Sequence, residues 1–278
     1  MSTISFNFSV GAKEWIASYN YPLQIMPQTT KIPTDNIIAS YPKCDTWRES
    51  VIHTSYITRP FNNIYSNQSK INSCRYNIEQ YIKLCKRIKY KRLLIHLPAT
   101  QTEFDSIGDG FGLLTDIFND DANKDLILVL EIPAFKCGFK MDVYAYFRTI
   151  IRNYFPLFKH GNVELCYDTA HLYANGLDCD DMIALFEAKV AHKLLIEYAT
   201  IIHFNGNKRP MYKSDNHVQM FDDENNLTNT TELATYLADK NKILITENTT
   251  THSDYERWKE YANTNKLTIV PNHANISA

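Results

Sequence analysis

Between Glu164 and Asp178 the chain reads Glu-Leu-Cys-Tyr-Asp-Thr-Ala-His-Leu-Tyr-Ala-Asn-Gly-Leu-Asp: an apolar run ends in Asp168, His171 follows three residues later, and Gly176 breaks the next helical turn. This reads as a strand that hands a carboxylate and an imidazole to one pocket, a pairing that suits a transition metal. Comparable residues close other apolar runs. His53 ends Val51-Ile-His53, His96 ends Leu94-Ile-His96, Glu131 ends Val129-Leu-Glu131, His203 ends Ile201-Ile-His203 and Glu247 ends Leu244-Ile-Thr-Glu247. From His53 through Asp168 to Glu247 the intervals are 35 to 44 residues, close to one β/α unit each.

Taken singly, a histidine at the end of an apolar strand is usually a structural one, and a glutamate there usually caps the next helix. Jointly, six such residues on one low-dielectric rim would raise one another's ionisation cost unless a cation or a hydrogen-bond network compensated them. After His203 a polar loop leads to Asp215-Asn216-His217, whose spacing sets two ligating side chains on the same side of an extended segment. The inventory is then His53, His96, Glu131, Asp168, His171, His203, Asp215, His217 and Glu247. A single catalytic ion with an open position cannot use so many ligands, so two or three metals are expected. His160, His192, His252 and His273 lie on helices, loops or the tail and are read as structural or surface residues.

The elements that must position these residues alternate from end to end. Strands are predicted at Thr3 to Phe8, Leu23 to Met26, Ser50 to Tyr56, Arg92 to Leu97, Leu126 to Ile132, Asn162 to Tyr167, Thr200 to Asn205 and Lys242 to Thr246. Helices are predicted at Ile71 to Lys89, Glu103 to Asn119, Met141 to Tyr154, Asp180 to Leu195, Asn229 to Lys240 and Ser253 to Thr264, with Asp180 and Ser253 as N-caps. Near-continuous apolar runs such as Leu126 to Leu130 indicate parallel strands buried on both faces. No linker interrupts the alternation, so residues 1–278 are expected to form one α/β domain, a (β/α)8 TIM barrel with a parallel eight-stranded core. An open doubly wound sheet is disfavoured, because no Gly-x-Gly-x-x-Gly follows the first strand and the chain holds only 8 glycines.

Composition narrows the function classes. The 278 residues, 44% hydrophobic, suffice for a large core, and no apolar run is long enough to span a membrane. Residues Met1 to Gly11 lack the basic start and apolar core of a signal peptide, so an intracellular protein without membrane attachment is expected. The six cysteines form no Cys-x-x-Cys pair and are read as free, mostly buried thiols. A net charge of -2 argues against coating nucleic acid by bulk charge but leaves room for a local basic groove. The basic run from Lys83 to Arg92 is read as a solvated helix face leading into a strand.

With these residues in place, the chain resembles the endonuclease IV family of apurinic/apyrimidinic (AP) endonucleases. Residue types match at all nine positions of that family's metal cluster, and Asp168-Thr-Ala-His171 is similar to its Asp-Thr-x-His motif. The resemblance implies three zinc ions per chain, with manganese as an alternative at one of them. His53 and His96 would hold one ion, Asp168, His203 and Glu247 a second, and His171, Asp215 and His217 a third, with Glu131 bridging the first two. Glu131, Glu247 and Asp168 would be the catalytic carboxylates. The implied reaction hydrolyses the phosphodiester 5′ of an abasic site, leaving a 3′-hydroxyl and a 5′-deoxyribose phosphate, with trimming of 3′-blocked ends as a second activity. The implied partner is double-stranded DNA, bound by a monomer.

Tyr56 matches an aromatic that fills the gap left by the missing base, with Ile57 beside it, and Gln28 matches a DNA-contact residue. The chain departs from the family in the Pro27 to Lys31 loop, which lacks a wedge arginine, at Asn216, which replaces a basic residue, and at Gly206, which replaces an acidic one. Abundant Asn, Ile, Lys and Tyr suit an AT-rich genome, and the compact loops are reminiscent of viral members; a cytoplasmic, nuclear or virion-packaged location would follow. Two other readings use the same residues. One is a metal-dependent sugar isomerase or epimerase on the same barrel, and the other a non-catalytic binder of damaged DNA.

Overall fold

Side chains point alternately to the two faces of a strand, and in a closed sheet that period of two assigns one set to the inside. In this computed structural model the structure describes residues 3–8, 16, 22–27, 30–62, 67–139, 141–247, 259–264 and 268–269, with 3–8 and 268–269 described by backbone alone. The strands are β1 (Thr3–Phe8), β2 (Gln24–Ile25), β3 (Arg48–His53), β4 (Tyr90–His96), β5 (Ile127–Glu131), β6 (Val163–Asp168), β7 (Ala199–His203) and β8 (Ile243–Thr246). Each pairs in parallel with the next, and β8 pairs with β1 to close the ring, as expected of a (β/α)8 barrel. Thr268–Ile269 adds a short parallel pairing to β1.

The interior is filled. Val51, Leu94, Val129, Cys166, Ile201 and Ile245 form a buried cluster of their own, separate from the larger core between sheet and helices. Two residues before them, the floor contains Arg92, 3% exposed, whose guanidinium reaches across β5 to Glu164 (3.0 and 3.3 Å) and also pairs with Glu49. Two residues after them come His53, His96, Glu131, Asp168, His203 and Glu247. The same alternation that packs the barrel therefore delivers the chemistry to its mouth.

Several predicted boundaries move for local reasons. Thr54 to Tyr56 leave the strand expected to contain them, since β3 ends at His53. The helix expected from Glu103 is two, Gln101–Asp105 and Ile107–Phe118, broken at Ser106, whose hydroxyl donates back to the carbonyls of Thr102 and Glu103. The helix expected from Asp180 to Leu195 is Cys179–Glu187, and its cap is Asp178, not Asp180. The chain then turns through Ala191 and His192, both at positive φ, between the short paired strands Lys189–Val190 and Lys193–Leu194. Ser253 lies outside the described residues, and 259–264 are helical. Two short helices, Asp35–Ser40 and Thr169–Ala174, add to the elements expected from the sequence. In the basic run, Lys83 is a surface partner of Asp35, but Arg92 belongs to the barrel floor. The six cysteines are free, five of them buried. No described helix is long and apolar enough to cross a membrane.

The loop that follows β3 is held by Phe61, which packs on Phe111 (ring centroids 5.3 Å apart) and lies flush against Gly110. A Cβ at Gly110 would stand 2.3 Å from Phe61 Cδ1 and 3.0 Å from the Pro60 carbonyl oxygen. Helix propensity favours alanine over glycine by about 0.5–1 kcal/mol, but overpacking costs about 1–3 kcal/mol. Gly110→Ala should therefore lower the urea midpoint, and a raised midpoint would contradict this packing.

Candidate metal centre

All described members of the predicted ligand set meet at the mouth of the barrel, and their atoms fall into three groups that could each hold an ion. His53, His96 and Glu131 make the first, Glu131, Asp168, His203 and Glu247 the second, and Asp168, His171 and His217 the third; ligand atoms within a group lie within 4.8 Å of one another. Glu131 Oε2 stands 3.4 Å from His53 Nε2 and 3.1 Å from His96 Nε2, while Oε1 stands 2.9 Å from His203 Nδ1. One carboxylate thus faces two groups. Asp215 sits against the third group, with Oδ2 3.3 Å from His171 Nε2 and Oδ1 3.1 Å from His217 Nε2.

Asp168 has two tasks. Its Oδ1 accepts the His171 backbone N–H at 3.0 Å and so caps the helix Thr169–Ala174, which makes His171 a first-turn helical residue and not a strand residue. Its Oδ2 faces His203 Nδ1 (3.7 Å) and His217 Nε2 (3.6 Å), joining the second and third groups. Asp215 and His217 arrive on a hairpin in which Gly206–Asn207 pairs antiparallel with His217–Val218. Gly206, where the resemblance leads one to expect an acidic residue, has a steric reason: a Cβ there would be 2.6 Å from Asn225 Cγ and 2.9 Å from the Gln219 carbonyl oxygen.

The outer ring nitrogens are held. His53 Nδ1 meets the Thr54 carbonyl at 2.8 Å and His171 Nδ1 the Ile132 carbonyl at 2.7 Å. A carbonyl only accepts, so in both rings Nδ1 carries a hydrogen and Nε2 is the nitrogen turned to the centre. Sequence reasoning missed two amides that serve the same centre. Gln24 of β2 bonds His203 Nε2 through Oε1 (2.8 Å) and donates to Glu247 Oε1 (2.7 Å). Asn205 donates to Asp168 Oδ2 (2.9 Å) and accepts the Glu247 backbone N–H (3.0 Å). Asn205 lies two residues beyond His203, so strand periodicity could have found it. Gln24 left no signal beyond one polar residue in an apolar strand.

Charge pairing dominates the electrostatics. Burial alone would raise the Glu131 carboxyl, yet the adjacent His203 and His96, with the hydrogen bond from His203, hold it well below the usual carboxylate range. Asp168 and Asp215 are likewise lowered against the effect of burial by their histidine neighbours. Burial pulls His171 down, but Asp168, Asp215 and Glu131 outweigh it and push it up to about 10. His203 and His217 are raised by the same kind of balance, whereas at His96 burial wins and the imidazole is lowered. Three buried polar atoms at the centre have no hydrogen-bond partner: Glu131 Oε2, Asp215 Oδ1 and His217 Nε2. Orphaned atoms of this kind in a largely buried His/Asp/Glu cluster fit cations better than they fit a closed hydrogen-bond network.

Around the centre, Tyr56 stacks on His96 (centroids 5.3 Å) and is 52% exposed, and Ile57 is 50% exposed beside it. Gln28 lies outside the described residues. A cavity of about 230 Å³ opens from His96, His171 and Asp215 toward Phe61, with Arg59 and Lys136 in its wall. His160 sits by Asp121 away from the centre, His192 lies in the turn after Cys179–Glu187, and His252 and His273 are outside the described residues.

No protein-family model matches the chain, and no curated protein matches it in sequence. Solved structures do match. Endonuclease IV from Thermus thermophilus is 14% identical with a TM-score of 0.66, covering 94% of this chain and 98% of that one. AsfvAP:AG is 15% identical with a TM-score of 0.63 over 95% and 97%. A D-tagatose 3-epimerase-like protein is 16% identical with a TM-score of 0.65 over 94% and 98%. At these identities the likeness establishes the fold, a TIM barrel that carries both nucleases and sugar epimerases.

Proposed function

We propose that this chain is a zinc-dependent AP endonuclease that hydrolyses DNA 5′ of an abasic site, leaving a 3′-hydroxyl and a 5′-deoxyribose phosphate, and that it also trims blocked 3′ ends. The observation that carries the reading is the convergence of nine His, Asp and Glu side chains on one rim in three groups joined by two shared carboxylates. Three zinc ions would be held by His53 and His96, by Asp168, His203 and Glu247, and by His171, Asp215 and His217, with Glu131 between the first two. Asp168 also borders the third group, so its replacement should disturb two ions. When bound, such ions lower the pKa of water and stabilise a leaving alkoxide.

The chain's own residues do the rest. Glu131 offers one oxygen to each of two groups, and the main-chain carbonyls behind His53 and His171 hold those rings in the ligating tautomer. Arg59 and Lys136 supply positive charge beside the centre for phosphates flanking the scissile bond, which a net charge of -2 does not supply globally. Exposed Tyr56 and Ile57 stand where an aromatic and an aliphatic side chain can enter the gap left by a missing base, a deformation that costs least where the base is absent.

A sugar epimerase remains the competing reading because an epimerase-like barrel is as similar in shape as the nucleases. Ion content and incision separate them. Incision of a duplex carrying one abasic analogue, lost on chelation and restored by zinc, with about three zinc ions per chain, is the expected result; one or two magnesium or manganese ions and no incision would favour the epimerase. Glu131→Ala should abolish incision by unlinking two ions, and unchanged cleavage would remove the role given to Glu131. Tyr56→Ala should narrow the ratio of abasic to intact duplex binding while zinc content stays constant, as measured by fluorescence anisotropy and metal analysis.

Protons and ions compete for the same nitrogens. Raised histidines stabilise the metal-free fold fully below about pH 6.5 and lose that contribution as pH rises through their folded values, which for His171 is about 10. The lowered carboxyls of Glu131 and Asp215 contribute above about pH 4 and lose it on further acidification. Zinc must displace the histidine protons, so the rise in Tm on adding zinc should grow from about pH 6 to about pH 8, with protons released on binding. A zinc increment that shrinks over that range would contradict these ion pairs.

A further inference from the structure

We infer that Gln24 is a positioning residue of the metal centre, whose carboxamide selects Nδ1 of His203 and Oε2 of Glu247 as the atoms offered to an ion. The inference rests on the metal-dependent reading above and assigns a role to a residue outside its ligand set. Gln24 is fully buried, on a strand of only two residues that contributes no ligand to the set. Its Oε1 lies 2.8 Å from His203 Nε2, and its Nε2 donates to Glu247 Oε1 at 2.7 Å.

The chemistry allows one arrangement. An amide oxygen only accepts, so His203 Nε2 carries a hydrogen, and Nδ1 is the nitrogen left to face the carboxylates, where it holds a proton that an ion can replace. Turning the amide over would set its oxygen against the Glu247 carboxylate, two acceptors in contact, so the orientation follows from the partners. His203 Nδ1 then faces Glu131 Oε1 at 2.9 Å, Glu247 Oε2 at 3.3 Å and Asp168 Oδ2 at 3.7 Å. His53 and His171 are used the opposite way round, with Nε2 inward and Nδ1 on a main-chain carbonyl. At His203 a side chain from the opposite end of the sequence does what a carbonyl does for the other two.

Glu247 is the second beneficiary. With Oε1 occupied by Gln24, only Oε2 faces the histidines, 3.3 Å from His203 Nδ1 and 3.8 Å from His217 Nδ1. Gln24 thereby couples an imidazole and a carboxylate of the same group, so losing it would free both to rotate. Partners of this kind typically hold a factor of about 10–100 in metal affinity.

The test uses the full chain and two variants, Gln24→Met, which keeps length and removes both hydrogen bonds, and Gln24→Glu, which keeps the acceptor for His203 but sets a carboxylate against Glu247. Zinc affinity is read by competition with a chromophoric chelator, ligand geometry from the visible spectrum of the Co²⁺-substituted protein, folding by circular dichroism, and incision of abasic duplex as separate kcat and KM. Either folded variant should bind one ion about 10–100-fold more weakly than wild type and show an altered Co²⁺ spectrum, with the loss in kcat and not in KM. Unchanged zinc affinity and spectrum in a folded variant overturn the role of Gln24. A wild type that binds zinc but does not cut abasic DNA overturns the nuclease reading and leaves the Gln24 result standing, whereas a wild type that takes up no zinc overturns both.

Discussion

The burial of Glu131 and Asp168 at the mouth of a filled barrel is the constraint on which the rest of this structure depends. Both carboxylates are 0% exposed, and an uncompensated charge in such a place costs several kcal/mol even after relaxation. The apolar layer beneath them, from Val51 to Ile245, admits no solvent to share the cost. Compensation must therefore come from the rim, which explains why five imidazoles crowd two shared carboxylates and why three of those imidazoles are raised above their ordinary range. A metal-free protein meets the constraint with protons. Cations would meet it with the atoms left unbonded, Glu131 Oε2, Asp215 Oδ1 and His217 Nε2.

Strand ends and their order were legible because two periods coincide. Inward residues recur every second position, and β/α units recur every 35 to 44 residues, so apolar runs ending in His or Glu point to one rim before any contact is known. Lengths and caps were less legible. Asp168-Thr-Ala-His171 reads as a strand end because nothing in six residues distinguishes a short capped helix from a turn; the helix Thr169–Ala174 depends on Asp168 receiving the His171 N–H and on Thr169 exchanging hydrogen bonds with Asn205, just beyond β7. The helix expected from Glu103 breaks because the Ser106 hydroxyl takes carbonyls of the turn before it, a local choice that apolar spacing does not encode.

Contacts far apart in sequence were the least legible part of the centre. Gln24 meets Glu247 across 223 residues, and Arg92 meets Glu164 across 72. Both are polar residues inside the barrel whose partners become visible only when strands are placed around the ring. They bracket the apolar layer at its two ends. At the floor, buried Arg92 lies between Glu164 and Glu49, and Glu49 also pairs with Lys91, so charge is met within the protein without an added ion. At the mouth, the cationic groups are imidazoles, which can give up their protons.

That difference decides which end of the barrel can do chemistry. An arginine stays protonated at any working pH, so the floor is fixed in composition. Imidazoles exchange protons for ions, and each of His53, His171 and His203 has its outer nitrogen held so that the inner one is available. The third group joins the strand-end Asp168 to a capped helix and a hairpin, His171 on one and Asp215 with His217 on the other, both outside the barrel strands. Elements added around the mouth, and not the barrel strands alone, therefore extend this centre beyond the strand-end groups.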